Sequence, residues 1–409
     1  MLKEFYSENN IDKEIEDFLT EFDQHSDFFR KNFLNIVQTI ATKAPILHSS
    51  HHGGFTVVSG YEPMREVATN TETYINESRS RVIPSTPLPP LIPTDLNGQD
   101  HAFWRTALNP LFSPARMKER KEAMLSLARA LLEDAAKKDR FDIIEDYAKP
   151  LTGITSLTFF GIDATNWREF DEPITNSTFF IGSPEQRAKD FMQYQERVRE
   201  AVKIGLRDPQ PGTVLAAMKA HESAGRKPTP EECFHLLNNL IIGGLGTTQA
   251  VTGTAAVYLA RNPDRRRELI EHPERMAGAV NEFLRLFSSA PLTGRSVVKD
   301  TTLRGHAISA NEPVALFWAA GNYDPAFIDR PLEVDFQRNM RSTTFALGSH
   351  MCLGQHLARA ELAVLLETLI KTAPDYQVID EDILTPPDLA SALAYVTVPA
   401  RLNTAAAAD

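Results

Sequence analysis

Cys352 stands in the stretch Phe345-Ala-Leu-Gly348-Ser-His350-Met-Cys352-Leu-Gly354 and is one of only two cysteines among 409 residues. A helical pattern follows at once, with Leu357, Glu361, Val364, Leu365 and Thr368 on one face. A thiol just before a helix points at unpaired N–H groups and the positive end of the dipole, which favours the thiolate. A single thiolate with no Cys-x-x-Cys companion suits an axial metal ligand better than a zinc cage. Gly348 and Gly354 let the backbone turn tightly and approach a flat ligand closely. The competing reading is a buried, inert cysteine, the commoner fate of a lone thiol.

A second set is Asp100-His101-Ala-Phe-Trp104-Arg105. His101 and Arg105 lie four apart, on one helical face. A dianionic ligand with two carboxylates suits that pair, since arginine binds carboxylates as a planar fork. The plainer alternative is a solvated face. A third set is Leu240-Ile-Ile-Gly243-Gly244-Leu245-Gly246-Thr247-Thr248. Three glycines in a helix cost about 1 kcal/mol each relative to alanine. Close approach of the backbone to a ligand is one reason to tolerate them. A phosphate-cradling loop fails on context: no strand precedes, no Gly-Lys-Ser/Thr follows, and Gln249 takes the sixth position. Thr247 is placed to bond back to the carbonyl four residues earlier, which loosens the turn.

These residues need elements to position them. Thr229-Pro230-Glu231-Glu232 is a capping box with proline at the first helical position. The next proline is Pro263, which allows a helix of ~32 residues and ~48 Å, long enough to cross the protein. Ser113-Pro114 starts another helix, whose early turns carry Arg116, Lys118, Arg120 and Lys121. From Ser26 the spacing Phe33, Ile36, Val37, Ile40 predicts an amphipathic helix ended by Pro45, and Phe55–Val58 reads as a strand. Five prolines between 84 and 93 exclude regular structure there. Between 165 and 210 the aromatics Phe179, Phe180, Phe191 and Tyr194 read as core.

Composition narrows the function classes. A formal charge of −11 argues against a general nucleic-acid binder. Two cysteines are too few for a disulfide framework. No apolar run reaches the ~18 residues of a membrane span, and the N-terminus lacks a signal peptide's apolar region. A cytoplasmic protein with no membrane span is expected.

The cysteine stretch resembles the haem-binding loop of the cytochrome P450 family, Phe-x-x-Gly-x-His-x-Cys-x-Gly. Two further signatures lie in the right order. Gly243-Gly244-x-Gly246-Thr247 resembles the family's glycine–acid–threonine segment over the iron, with Gly246 where the acid stands. Glu282-Phe-Leu-Arg285 resembles its structural salt bridge, completed by Arg338 and preceding an Asn-x-Asp-Pro-like turn at Asn322-Tyr323-Asp324-Pro325. The resemblance spans roughly residues 26–400 and implies a mostly α fold with a small β-sheet lobe (α+β), in which a long central helix passes over the haem. The implied organisation is an N-terminal extension over 1–25, one haem-binding domain over 26–400 and a tail over 401–409.

The resemblance also implies roles. Cys352 ligates the iron of haem b (iron protoporphyrin IX) as thiolate, with Phe345 beside the sulfur and Gly354 closing the loop. His101, Arg105, Arg295 and His350 anchor propionates. Thr247, with Gly244 and Thr248 beside it, handles dioxygen and its protons. Leu240, Gly243, Ala290, Leu292 and Leu393 line a pocket for a small apolar organic substrate, and Ala390–Tyr395 forms its last turn before a strand at Val396–Val398. The proline-rich segment 84–93 is a spacer or a cover over that substrate. The implied activity is a monooxygenase using O2 and NAD(P)H electrons through a ferredoxin and its reductase. The basic run after Pro114 is a solvated face, the commoner case for such a run, or the surface that receives the acidic electron donor. Gly246 opens an alternative, an atypical member that couples, isomerises or uses peroxide. A non-enzymatic haem-thiolate sensor is the third reading.

Overall fold

The capping box forms as the sequence demands. Thr229 accepts the Glu232 amide, Glu232 reaches back to the Thr229 amide, and the helix Pro230–Gly244 starts there. In the computed structural model, which describes residues 11–86, 88–338, 342–389 and 392–402, the chain divides into two units. One comprises Met1–Ala102, Asn281–Cys352 and Pro387–Leu393; the other comprises Phe103–Val280, Leu353–Pro386 and Ala394–Asp409.

The first unit carries most of the β-structure. Its five-stranded sheet runs in the spatial order Ile46–Ser49, Phe55–Val58, Pro313–Leu316, Thr293–Val297, Tyr74–Ile75. All pairs are antiparallel except Phe55–Val58 with Pro313–Leu316. Val58, Met64, Val67, Tyr74, Val297, Val314, Leu316 and Trp318 form a core against which Ala346 and Leu347 pack. The cysteine loop is thus seated on buried apolar surface, the dominant favourable term in folding. Ser26 caps the helix Asp27–Lys43 through the Phe29 amide. Within the stretch read as an extension, the helix Ile11–Thr20 and the turn after it bury Ile15, Leu19 and Phe22.

The second unit is helical around the run Pro230–Arg261, the one helical run among the described residues long and apolar enough to cross a membrane. Its most apolar window is 67 % buried in the protein, as in a core helix. The helices Pro114–Ala135, Lys149–Phe160, Arg168–Thr178, Pro184–Arg207 and Gln355–Thr372 belong to the same unit. A three-stranded sheet, Phe141–Asp142, Pro399–Arg401 and Gln377–Val378, sits here as well.

The structure differs from expectation at three places. The long helix is interrupted at Leu245 (φ −87°, ψ −73°), leaving Pro230–Gly244 and Gly246–Arg261. The ladder is stretched there: Leu245 N donates to Ile241 O at 3.3 Å and Gln249 N to Leu245 O at 3.5 Å. Glycines on both sides give this turn little resistance to opening. The closing strand is Pro399–Arg401 rather than Val396–Val398, because the ladder to Phe141–Asp142 begins at Pro399. Tyr194 is core, its hydroxyl on Asn238 at 2.8 Å, whereas Phe180 is half-exposed beneath Arg187. Ala390, Ser391 and the alanines 405–408 lie outside the described residues.

Candidate functional site

In the first unit the cysteine loop is closed on itself. Cys352 N donates to Phe345 O at 2.8 Å and Met351 N to Gly348 O at 3.2 Å. Gly348 sits at φ +73°, and a Cβ there would lie 2.6 Å from the Ala68 carbonyl oxygen, so no side chain fits. Cys352 is exposed and forms no disulfide; Gly354 takes the N-cap position of Gln355–Thr372. Cys233 is the opposite case. It is 1 % exposed, and burial pushes its thiol up to about 12, so the inert reading belongs to it.

The loop's base is anchored. Asn322 accepts the Thr343 amide at 2.8 Å and donates to Thr344 Oγ1 at 2.9 Å, while Thr344 donates to Leu284 O at 2.7 Å. Arg285 grips Glu282 with Nε at 2.9 Å and Nη2 at 2.7 Å, both side chains 1 % exposed. Arg338 adds an ionic contact to Glu282 at 3.3 Å, and the Asp335 amide donates to Glu282 at 3.0 Å. The structure therefore brings Glu282, Arg285 and Arg338 together.

His101 and His350 also meet, their ring centroids 4.1 Å apart, with Asn76 Nδ2 2.9 Å from His350 Nδ1. Arg295, on the strand Thr293–Val297, is 6 % exposed. Its hydrogen bond goes to the Gly294 carbonyl at 2.8 Å, and among the described residues no carboxylate pairs with it. Burial draws its guanidinium down to about 10. Leu393 is fully buried and its amide donates to Ser289 O at 3.0 Å, which holds it beside the segment bearing Ala290 and Leu292.

In the second unit Arg105 lies one turn after His101 on the helix Gly98–Leu108 and donates to Asn109 at 3.0 Å. Thr247 Oγ1 donates to Gly243 O at 2.8 Å, the back-bond expected from the sequence, across the interrupted turn. A Cβ at Gly243 or Gly246 would meet no atom within 4 Å, whereas at Gly244 it would touch Phe160 and Ser156. Leu240 is half-buried on the same helix.

Sequence reasoning missed Glu361 as a site residue. It is fully buried, with Ser156 Oγ 3.5 Å from Oε1, and Oε2 has no hydrogen-bond partner among the described residues. Burial pushes its carboxyl well above the usual carboxylate range, against hydrogen bonds from Thr248 and Ser156. Its signal was present, because a glutamate occupied a core position of the stripe Leu357–Thr368. Gln249 was missed too; its amide donates to Asp171 at 2.7 Å and Thr152 at 3.0 Å, pinning the helix just past the interruption. Of the basic run after Pro114, Arg116 pairs with Glu119 at 2.6 Å, Arg120 lies over Phe159, and Lys121 reaches Glu367 at 4.0 Å.

The sequence profile of the family Cytochrome P450 matches residues 164–373, just over half of the chain. The chain is 26 % identical to the Steroid C26-monooxygenase of Mycobacterium tuberculosis over 340 residues, 81 % of this chain and 90 % of that one. It is 28 % identical to the Linalool 8-monooxygenase of Pseudomonas putida over 284 residues, 66 % and 68 % of the two chains. The crystal structure of CalO2 superposes with a TM-score of 0.83 at 22 % identity, covering 95 % of this chain and 100 % of that one. The protein belongs to the cytochrome P450 family and has its fold, and with it the class of oxidoreductases that incorporate oxygen from O2. The family's resident group is haem b with a cysteine thiolate on the iron. The residues present fit that group, because Arg295 is a desolvated cation to which an anionic carboxylate would supply the counter-charge.

Proposed function

We propose that the protein is a haem-thiolate monooxygenase that inserts one oxygen atom of O2 into a mid-sized apolar organic molecule. Electrons come from NAD(P)H through a ferredoxin and its reductase. The observation that carries this reading is Arg295, buried and without a carboxylate among the described residues, in the same unit as the closed Cys352 loop. Cys352 serves as iron ligand, Phe345 and Gly354 frame it, and His101, Arg105, Arg295 and His350 hold the propionates. When bound, the haem supplies dioxygen activation and the oxidation itself.

The chain's own residues handle position and protons. Thr247 has one hydroxyl hydrogen and commits it to Gly243 O. Its oxygen is therefore an acceptor, suited to hold a water whose hydrogens point onward. Glu361, kept neutral by burial, is an acid with a proton to give, with Ser156 Oγ 3.5 Å from it and Thr248 favouring its charged form. These two compensate for the carboxylate missing at Gly246. Leu240, Ala290, Leu292 and Leu393 offer apolar surface, and the two relatives named for a steroid and for linalool support an apolar substrate such as a terpenoid.

Gly246 favours one second reading, a member that couples, isomerises or uses peroxide and needs no relayed protons. One experiment separates the two. A compound library is screened for a substrate-induced Soret shift, and the hit is turned over under isotopically labelled dioxygen with a ferredoxin and its reductase. One labelled oxygen per product supports the monooxygenase. Unlabelled product, or turnover with hydrogen peroxide alone, supports the second reading.

A further inference from the structure

His25 lies in the turn between the helices Ile11–Thr20 and Asp27–Lys43. Its Nδ1 is 2.6 Å from Asp388 Oδ2 and its Nε2 is 2.6 Å from the carbonyl oxygen of Ile83. A main-chain carbonyl can only accept, and so can an ionised carboxylate. A neutral imidazole has one N–H, so it satisfies one of these contacts; the imidazolium satisfies both. Three segments distant in sequence are joined here: the turn at 25, the head of the proline-rich segment at 83, and the segment at 388. All three lie in the first unit.

We propose that His25 is a protonation-dependent strap, fastening the proline-rich segment that begins at Pro84 to the segment at Asp388 when its ring carries a proton at both nitrogens. The side chain is 29 % exposed, so the ring exchanges protons with solvent. The groups facing it are few. Asp388 lies on one side. Asp23 accepts the His25 amide at 2.9 Å and lies 2.7 Å from His52 Nε2, and the His52 ring stands edge-on to His25 with centroids 5.2 Å apart. His51 is the next ring beyond His52, beside Glu21 at 3.7 Å. Gln24 Nε2 also donates to Ile83 O, at 3.2 Å, and keeps the segment tethered when the ring releases it. The Asp388 carboxylate, acting against burial, raises the imidazole above its ordinary value, helped by the Ile83 carbonyl and Asp23. The sign follows. The strap is fully fastened below the ordinary histidine value and is lost as pH rises through the raised one. If the segment 84–93 is a substrate cover rather than a spacer, the two roles open to it above, the strap sets how readily substrate enters.

The test uses the full holoprotein between about pH 5 and 8. Imidazole resonances are followed by NMR, with His25→Asn for assignment, and hydrogen exchange is followed over residues 81–86, corrected for the intrinsic effect of pH. His25 is expected to titrate above the ordinary value. Exchange over 81–86 should rise about tenfold through that titration, the lower end for a charge-assisted hydrogen bond on a part-exposed ring. In Asp388→Asn a neutral ring can accept from the amide at Nδ1 while donating to Ile83, so exchange there should stay low and flat. Exchange that ignores His25's titration in the parent, or an Asp388→Asn variant that follows the parent, overturns the strap. The association rate of n-butyl isocyanide, a non-ionisable iron ligand, is measured alongside. A strap seen by exchange with an unchanged association rate leaves the strap standing and overturns the substrate-cover role of 84–93.

Discussion

Arg285 donates to the main-chain oxygen of Asn322 at 3.1 Å. Asn322 holds the Thr343 amide at the base of the cysteine loop, so the buried Glu282–Arg285 pair supports that loop through one intermediate residue. Arg285→Ala would take from the buried Glu282 its two-pronged partner and leave it, among the described residues, the single ionic contact with Arg338 at 3.3 Å. The expected loss is about 3–5 kcal/mol of stability, read as a fall in the denaturation midpoint. A loss below about 1 kcal/mol, the range of a surface pair, would deny the arrangement.

Cys352 as thiolate ligand predicts the red-shifted Soret band of that ligation in the reduced, carbonyl-bound protein. Cys352→His should abolish the band. Cys233→Ala should leave it intact, because that thiol is buried and held protonated. Loss of the band in Cys233→Ala instead would assign the ligand to the wrong cysteine.

Arg295→Ala and Arg105→Ala should each release haem faster to apomyoglobin. Losing one charge-assisted partner on a carboxylate amounts to about 1.5–3 kcal/mol, or roughly ten- to a hundredfold. Arg295 should show the larger effect, since its cation is the more buried of the two. Transfer rates unchanged in both variants would remove these arginines from the propionate sites.

Thr247→Ala should divert reducing equivalents to peroxide, lowering product per NAD(P)H with substrate affinity nearly unchanged. Glu361→Gln should do the same if its proton is used. A second readout is independent of turnover. A carboxyl whose value is raised on folding contributes stability below its ordinary value and loses it as pH rises. The stability of Glu361→Gln relative to the parent should therefore increase from acid pH towards neutrality. A pH-independent difference would place the carboxyl outside this linkage. Gly246→Asp, where side-chain space is open, should restore coupling to Thr247→Ala only if an acid can act there without the threonine.

Local signals carried much of this structure. The capping box at Thr229, the Ser26 cap, the strand Phe55–Val58 and the back-bond of Thr247 each depend on residues within a few positions of one another. What stayed hidden depends on segments far apart in the chain. Glu361 sits in plain view on an apolar stripe, but its neutral state comes from its complete burial, which only the packing of helices far apart in the chain creates. The opening at Leu245 combines three nearby glycines with a back-bonding threonine, and propensity alone predicts only an unfavourable helix. Phe180 was read as core because aromatics usually are; it follows Thr178, where a helix ends, and takes a positive φ of 57°.

The interruption at Leu245 has a mechanical meaning. A helix with a sound ladder bends gently along its whole length, whereas one with an opened turn yields at that turn. Pro230–Gly244 and Gly246–Arg261 are two rods with a joint, and Gln249 clamps the second rod to Asp171 and Thr152 just past it. Bending imposed on the first rod is therefore not shared out over thirty-two residues. It is delivered to the joint, where Thr247 hangs from Gly243 by one hydrogen bond.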